Sequence, residues 1–132
     1  WVIAIADGGL STPEVYREVD RQRAALTAPA ALGSPDDLMA ALRQKDPEVL
    51  ADALGNDMQS ASLALRPELE RTLAVGRDAG ALAAMISGSG PTCLYLAADQ
   101  VHAAGIAAAV LEAGVCRKTL VATGPVAGAR VI

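Results

Sequence analysis

The stretch Ser-Gly-Ser-Gly-Pro-Thr at residues 87–92 (the glycine turn) has the residue types best suited to binding a ligand through the backbone. Gly88 and Gly90 lack a Cβ, so the backbone there can adopt positive φ and bring its N–H groups close to an anion. No Lys follows, so the stretch is not a Walker A loop, and the dinucleotide-binding pattern GxGxxG is incomplete. The residues alone leave two interpretations open, an anion-binding turn and a plain hairpin connection.

Other polar residues point less clearly to chemistry. Asn56 and Asp57 precede a predicted helix, where an N-cap role is favoured over bracing of the glycine turn. His102 is the only histidine and has no Asp, Ser or Cys partner nearby in sequence, so we interpret it as a solvated helix residue. Cys93 and Cys116 show no metal-ligand spacing. The acidic residues of predicted first turns are assigned no metal role: Asp36, Asp37 and Glu48.

Composition narrows the class of protein. The 132 residues, 52% of them hydrophobic, fit one compact domain, and the net charge of −4 predicts no nucleic-acid partner. The apolar stretches are shorter than the roughly 20 residues that cross a bilayer, so we expect a soluble, cytoplasmic protein without a membrane partner. The chain opens with Trp-Val-Ile-Ala and no Met, so we expect it to be part of a longer protein.

The elements that position these residues follow from periodicity and capping signals. A strand at residues 2–6 leads to a helix at about 13–25, opened either by a Ser11–Glu14 capping box or by Thr12 with Pro13 in the first turn. Tyr16 lies in this helix beside Val15. The other predicted elements are helices at about 35–43, 47–54, 57–65 and 67–79, strands at 82–86 and 92–97, a helix at 100–113, a strand at 115–122 and one short strand in the tail 124–132.

This order predicts an α+β fold, a ferredoxin-like split βαβ sandwich with extra helices in the first crossover. Such sheets commonly have one face covered by helices and the other partly open. We expect the open face to be covered by a segment that this chain does not contain.

Four parts of the sequence carry a resemblance to a known family. Residues 81–97, ALAAMISGSGPTCLYLA, resemble the third signature motif of the superfamily of galactokinase, homoserine kinase, mevalonate kinase and phosphomevalonate kinase (GHMP kinases). Within it, IADGGLSTPEVYREVD, the Asn56–Asp57 pair and the closing GPVAGARVI resemble the 4-diphosphocytidyl-2-C-methyl-D-erythritol kinase family. The resemblance covers essentially residues 1–132 and implies a single C-terminal domain of the GHMP-kinase type, with an N-terminal ATP-binding, catalytic domain absent from this chain.

The resemblance implies an ATP-dependent small-molecule kinase that uses Mg²⁺ and phosphorylates the 2-hydroxyl of 4-diphosphocytidyl-2-C-methyl-D-erythritol in the non-mevalonate isoprenoid pathway. Because the catalytic Lys and Asp and the main phosphate loop belong to the missing domain, it implies no catalytic residue and no metal site here, and an inactive fragment. It implies that Thr12 and Pro13 line the substrate and that Tyr16 stacks on the cytosine. The residues it places near the phosphates are Ser87, Gly88, Ser89, Gly90, Pro91 and Thr92.

Two alternatives remain. Another kinase of the same superfamily, of the homoserine or mevalonate type, would share the third motif without needing an aromatic residue for cytosine. A free-standing ferredoxin-like ligand-binding module is also compatible, because a fold does not determine a function. Binding of cytidine nucleotides to the full-length protein would distinguish the cytidyl kinase from another kinase of the superfamily. The coding sequence upstream of Trp1 would distinguish a kinase, which needs a further domain there, from a free-standing module.

Overall fold

The computed structural model describes residues 1–27 and 33–129. Within these ranges the helices and strands follow the predicted order, and the α+β fold is confirmed. Residues 122–129 form no strand, so the prediction of a short strand in the tail is wrong for this part of it. The last three residues of the tail, 130–132, lie outside the described ranges. The elements are β1 (Val2–Ile5), α1 (Thr12–Ala24), α2 (Pro35–Gln44), α3 (Pro47–Ala53), α4 (Gln59–Leu65), α5 (Leu69–Asp78), β2 (Ala83–Ile86), β3 (Cys93–Leu96), α6 (Gln100–Glu112) and β4 (Lys118–Val121).

The strands form one four-stranded sheet in the order β2-β3-β1-β4. Every neighbouring pair is antiparallel, with Ala4 opposite Cys93 and Ile3 opposite both Leu94 and Leu120. Strand β3 is inserted between β1 and β2, which is the split βαβ arrangement. Helices α1 to α5 all fall in the first crossover, as the element order predicted.

The main core lies between one face of the sheet and helices α5 and α6. Val2 and Ala4 of β1 are buried there with Leu73 and Ile106 of the two helices. Tyr95 of β3 is fully buried among them. Its hydroxyl donates a 2.7 Å hydrogen bond to the backbone carbonyl of Thr72 on α5. This bond satisfies the polar end of the only aromatic residue in the described core, so the ring can be buried at little cost.

The opposite face of the sheet carries an apolar row. Ile3, Met85 and Leu94 are half-buried there, and Leu120 is exposed. Because side chains alternate along a strand, none of these can join the core that Val2, Ala4 and Tyr95 build on the other face. This arrangement is the partly open face that the element order predicted.

A second, smaller core joins α1 to α4. Val15, Val19 and Ala61 are buried together in it. Gln22 is also buried there, and its side-chain amide donates to Glu18 at 2.8 Å and accepts from the Ser60 hydroxyl at 2.7 Å. These contacts fix α1 relative to α4, so residues at the start of α1 have a defined position.

The ends of the helices follow most of the predicted signals. Ser34, Asp46 and Asp99 each accept a backbone N–H bond at the start of α2, α3 and α6. The Ser11–Glu14 capping box is wrong, because the Ser11 side chain makes no cap hydrogen bond. No helix within the described ranges is both long enough and apolar enough to span a bilayer.

Candidate functional site

The glycine turn joins β2 to β3 at the end of the sheet where β1 leads into α1. Gly88 and Gly90 adopt positive φ, +54° and +76°, as their residue type predicted. A Cβ on Gly90 would lie 2.8 Å from Cγ2 of the buried Ile86, whereas a Cβ on Gly88 would meet open space. The turn is closed by two backbone bonds, from Gly90 N–H to Ser87 and from Ser87 N–H to Thr92, both 2.8 Å.

Helix α4 and the residues just before it hold the turn from behind. Asn56 donates through Nδ2 to the carbonyl oxygens of Ile86 and Gly88 at 2.8 and 2.7 Å. Gln59 accepts the Ile86 N–H at 3.0 Å, and the Ser62 hydroxyl is 3.2 Å from the Ser89 carbonyl oxygen. Sequence reasoning missed Gln59 and Ser62, although their spacing of three residues places them on one side of α4.

Helix α1 contacts the glycine turn through its first residue. The hydroxyl of Thr12 is 2.8 Å from the hydroxyl of Ser89. Pro13 occupies the first turn of α1 and is exposed. Tyr16 lies one helical turn after Thr12, so both lie on one side of α1, and its side chain is 53% exposed. The structure therefore brings Thr12 and Tyr16 to the same end of the sheet as the glycine turn and leaves the tyrosine ring accessible.

The other residues weighed at the sequence level lie elsewhere or are chemically inert. His102 lies at the start of α6, where its Nδ1 accepts the Ala98 N–H at 3.3 Å, so it takes part in a helix end rather than in the site. Cys93 is buried, and this burial raises the pKa of its thiol to about 12, so it stays protonated at neutral pH. Within residues 1–27 and 33–129, no three His, Cys, Asp or Glu side chains cluster as a metal site would require.

A cavity of about 550 Å³ lies at the other end of the sheet, away from the glycine turn. Apolar side chains such as Trp1, Leu50 and Leu96 line much of it. Two of its acidic residues, Asp46 and Asp99, already accept backbone N–H groups at the starts of α3 and α6. The cavity therefore offers mainly shape and apolar surface, and these two acidic residues serve as helix caps.

Comparison with known proteins identifies the family. The family described as "GHMP kinases C terminal" matches residues 38–116, which include α4, the glycine turn and β3. The chain belongs to this family. The GHMP kinase C-terminal fold thus accounts for the four-stranded sheet with the glycine turn between β2 and β3.

Curated relatives of this GHMP kinase domain include proteins named 4-diphosphocytidyl-2-C-methyl-D-erythritol kinase. The protein from Salinispora tropica is 62% identical over 99% of this chain, and that from Rhodococcus jostii is 55% identical over 100% of it. The match covers 42% of the length of each relative. The chain therefore spans less than half of the relatives that it matches.

Solved structures share the GHMP kinase C-terminal fold at low sequence identity. A crystal structure of 4-(cytidine 5′-diphospho)-2C-methyl-D-erythritol kinase has a TM-score of 0.66 and 24% identity, over 90% of this chain and 40% of that one. The structure of L. major mevalonate kinase in complex with R-mevalonate has a TM-score of 0.62 and 22% identity, over the same shares of 90% and 40%. At these identities the similarity establishes the fold alone.

Proposed function

We propose that this chain is the C-terminal, substrate-side domain of a 4-diphosphocytidyl-2-C-methyl-D-erythritol kinase. The observation that carries the proposal is the 62% identity over 99% of the chain to a relative of that name. The site geometry supports it, because the Thr12–Ser89 contact joins a segment suited to substrate binding to a turn suited to phosphate binding. The match covers 42% of the relative's length, and the remainder of such a protein would supply the N-terminal, catalytic domain.

In the proposed reaction, the 2-hydroxyl oxygen of the cytidyl alcohol attacks the γ-phosphorus of ATP. A new P–O bond forms, the bond from the γ-phosphorus to the β,γ-bridging oxygen breaks, and ADP leaves with that electron pair. The hydroxyl proton passes to a base outside this chain. Phosphoryl transfer depends mainly on positioning and on stabilising charge around the phosphates. The glycine turn would contribute backbone N–H donors to that stabilisation.

On the substrate side, we assign Thr12 and Pro13 to the wall of the pocket and Tyr16 to the cytosine. Tyr16 supports this assignment because a 53% exposed ring has a face available for stacking. Stacking of a base on an aromatic side chain contributes about 1–3 kcal/mol, as measured by alanine substitution. The contact between Thr12 and Ser89 would hold this wall of the pocket in a fixed position relative to the glycine turn.

ATP is the phosphate donor in this proposal. The described residues do not form a cluster that fits Mg²⁺, so we assign no step of the reaction here to a metal held by this chain. A cytoplasmic location is also part of the proposal, and it is supported by both cysteines being free thiols, which fits a reducing compartment.

The proposal is tested with the complete protein that contains this chain. We expect ADP formation to require the cytidyl alcohol and to be absent with homoserine or mevalonate. The product should carry one new phosphate on the 2-hydroxyl, as read by ³¹P NMR. Residues 1–132 alone should show no turnover. ADP formation with mevalonate or homoserine instead would replace the proposal by another kinase of the same superfamily.

A further inference from the structure

The backbone groups of the glycine turn are divided into two sets. The carbonyl oxygens of four consecutive residues, from Ile86 to Ser89, have donors within the chain, although the Ser62 hydroxyl that lies 3.2 Å from the Ser89 oxygen also donates to Met58 at 3.0 Å. Among the described residues, the N–H groups of Gly88 and Ser89 have no acceptor. The negative ends of the peptide dipoles are therefore bound by the protein, while positive ends stay available to a ligand. A turn arranged in this way attracts anions.

Asn56 accounts for two of the four bound carbonyls. Its Nδ2 donates to both Ile86 and Gly88, so both amide hydrogens are used. Its Oδ1 accepts the Met58 N–H at 3.1 Å, in the turn that leads into α4. The side chain therefore has two separable roles, one toward the helix and one toward the turn. The predicted N-cap role of Asn56 is wrong, because α4 begins at Gln59 with Met58 as its N-cap residue, and on that side Asn56 braces only the turn that leads into the helix.

We infer that Asn56 is a positioning residue for the phosphate-transfer centre. It draws the Ile86 and Gly88 carbonyl oxygens toward α4, so that the glycine turn offers N–H donors to a phosphate anion without carbonyl oxygens beside them. A carbonyl oxygen facing the phosphate would repel it and weaken the stabilisation of the transition state. The inference rests on the proposed function and adds to it the residue that sets the polarity of the turn.

The test separates the two roles of Asn56 by substitution in the complete enzyme. Asn56→Asp keeps an oxygen for the Met58 N–H but cannot donate to the turn when ionised. Asn56→Ser also keeps an oxygen for the Met58 N–H and adds no charge, but its side chain is too short to bridge both carbonyls. We expect both variants to lower kcat by about tenfold or more, with KM for the cytidyl alcohol within about twofold of wild type.

A matched control removes a helix cap far from the site. Ser34→Ala deletes the 3.1 Å bond to the Asp36 N–H at the start of α2, and it should leave kcat unchanged. If Asn56 acted only on the turn that leads into α4, then Asn56→Asp would behave like wild type and Asn56→Ala like Ser34→Ala. Wild-type kcat in folded Asn56→Asp would overturn the inference.

A second readout keeps the inference testable if the proposed reaction fails. In ¹⁵N-labelled complete protein, the Gly88 amide resonance should shift when the β,γ-imido analogue of ATP is added, and the shift should be lost in Asn56→Asp. Inactivity of wild type toward the cytidyl alcohol, together with this pattern, would reject the proposed substrate and retain the role of Asn56. An identical shift in wild type and variant, or no shift in wild type, would reject the role of Asn56.

Discussion

Thr12 and Ser89 are 77 residues apart in sequence, and their hydroxyl oxygens lie 2.8 Å apart in the structure. Thr12 opens α1, which carries Tyr16, and Ser89 lies in the middle of the glycine turn. This hydrogen bond directly links the helix that carries Tyr16 to the glycine turn. A displacement of the start of α1 would therefore displace the glycine turn, and the reverse.

The link between Thr12 and Ser89 predicts a measurable coupling. Thr12→Val and Ser89→Ala each remove one hydroxyl, and a double-mutant cycle on the unfolding free energy isolates their interaction. Because the bond is exposed, we expect a coupling of about 0.5–1 kcal/mol, at the low end for a neutral hydrogen bond. Strictly additive single and double variants would show that the two hydroxyls do not interact in solution.

Tyr16 is expected to contribute to binding of the cytidyl substrate. In the complete enzyme, Tyr16→Ala should raise KM for that substrate by roughly tenfold through loss of a stacking contact. Tyr16→Phe keeps the ring and should stay within about twofold of wild type. Because the side chain is 53% exposed, neither change should lower the thermal stability much. An unchanged KM in Tyr16→Ala would remove the residue from the substrate site.

The two glycines of the turn are expected to differ when a methyl group is added. Both have positive φ, so alanine at either position is strained by about 1–2 kcal/mol. Only the Cβ at Gly90 would also meet Ile86, at 2.8 Å, and the buried Ile86 cannot move away freely. We expect Gly90→Ala, and still more Gly90→Val, to lower kcat by about tenfold or more, because displaced groups near the reacting atoms cost rate steeply.

Gly88→Ala is the matched control for this prediction. Its Cβ would enter open space, and the Gly88 N–H is retained, so kcat should stay within about threefold of wild type. Steady-state measurement of kcat for Gly88→Ala and Gly90→Ala tests whether the two positions differ. Equal losses in both would mean that the backbone conformation alone, and not the contact with Ile86, determines the effect.

What could be predicted from sequence depended on how local the signal was. The glycine residue type predicts positive φ at Gly88 and Gly90, and the position of Asp99 before an apolar run predicts the start of α6. Ser11 looked like an equally good cap, but the hydroxyl next to it, on Thr12, instead contacts Ser89 from a distant segment. Such a contact depends on the packing of α1 against α4 and has no local pattern.

Helix α6 shows the same limit of local patterns. Val101 and Leu111 are both apolar, yet both are exposed, at 84% and 48%. Alanines 103 and 107 are buried instead, together with Ile106 and Val110. In a helix so rich in alanine, apolar residues occur on every side, and the sheet rather than the sequence pattern selects the buried face.

Two glycines in helix interiors predict opposite effects on stability. A Cβ on Gly76 of α5 would lie 2.1 Å from the Tyr95 ring, which is held in place by its bond to Thr72. Gly76→Ala should therefore destabilise the protein by about 1–3 kcal/mol, the usual cost of overpacking a core. Gly105 of α6 is exposed, with nothing within 4 Å of an added Cβ, so Gly105→Ala should stabilise by about 0.5–1 kcal/mol.

Urea unfolding of the two glycine variants measures both effects, and the pair controls for the general gain in helix propensity that alanine brings. Adding Tyr95→Phe to Gly76→Ala is informative, because it releases the ring from Thr72 and should recover part of the loss if the clash is the cause. A Gly76→Ala variant as stable as wild type would show that the α5–β3 contact is looser than the structure indicates.

Glu18 predicts a dependence of stability on pH. The side-chain hydrogen bonds from Arg21 and then Gln22 lower the pKa of Glu18 from 4.5 to about 2. A carboxyl whose pKa is lowered by folding stabilises the folded state above its unfolded pKa, and this contribution is lost as it becomes protonated. The contribution should therefore be fully present above about pH 4.5 and disappear as the pH falls toward about 2.

The measurement compares urea midpoints of wild type and Glu18→Gln across that pH range. Wild type should be the more stable protein at neutral pH, and the gap between the two should close as the pH is lowered from about 4.5 to 2. Glu14→Gln is the control, because its contact with Arg17 is longer, at 3.7 Å, and both side chains are well exposed. A gap that is constant with pH would show that Glu18 acts through packing against Gln22 and not through its charge.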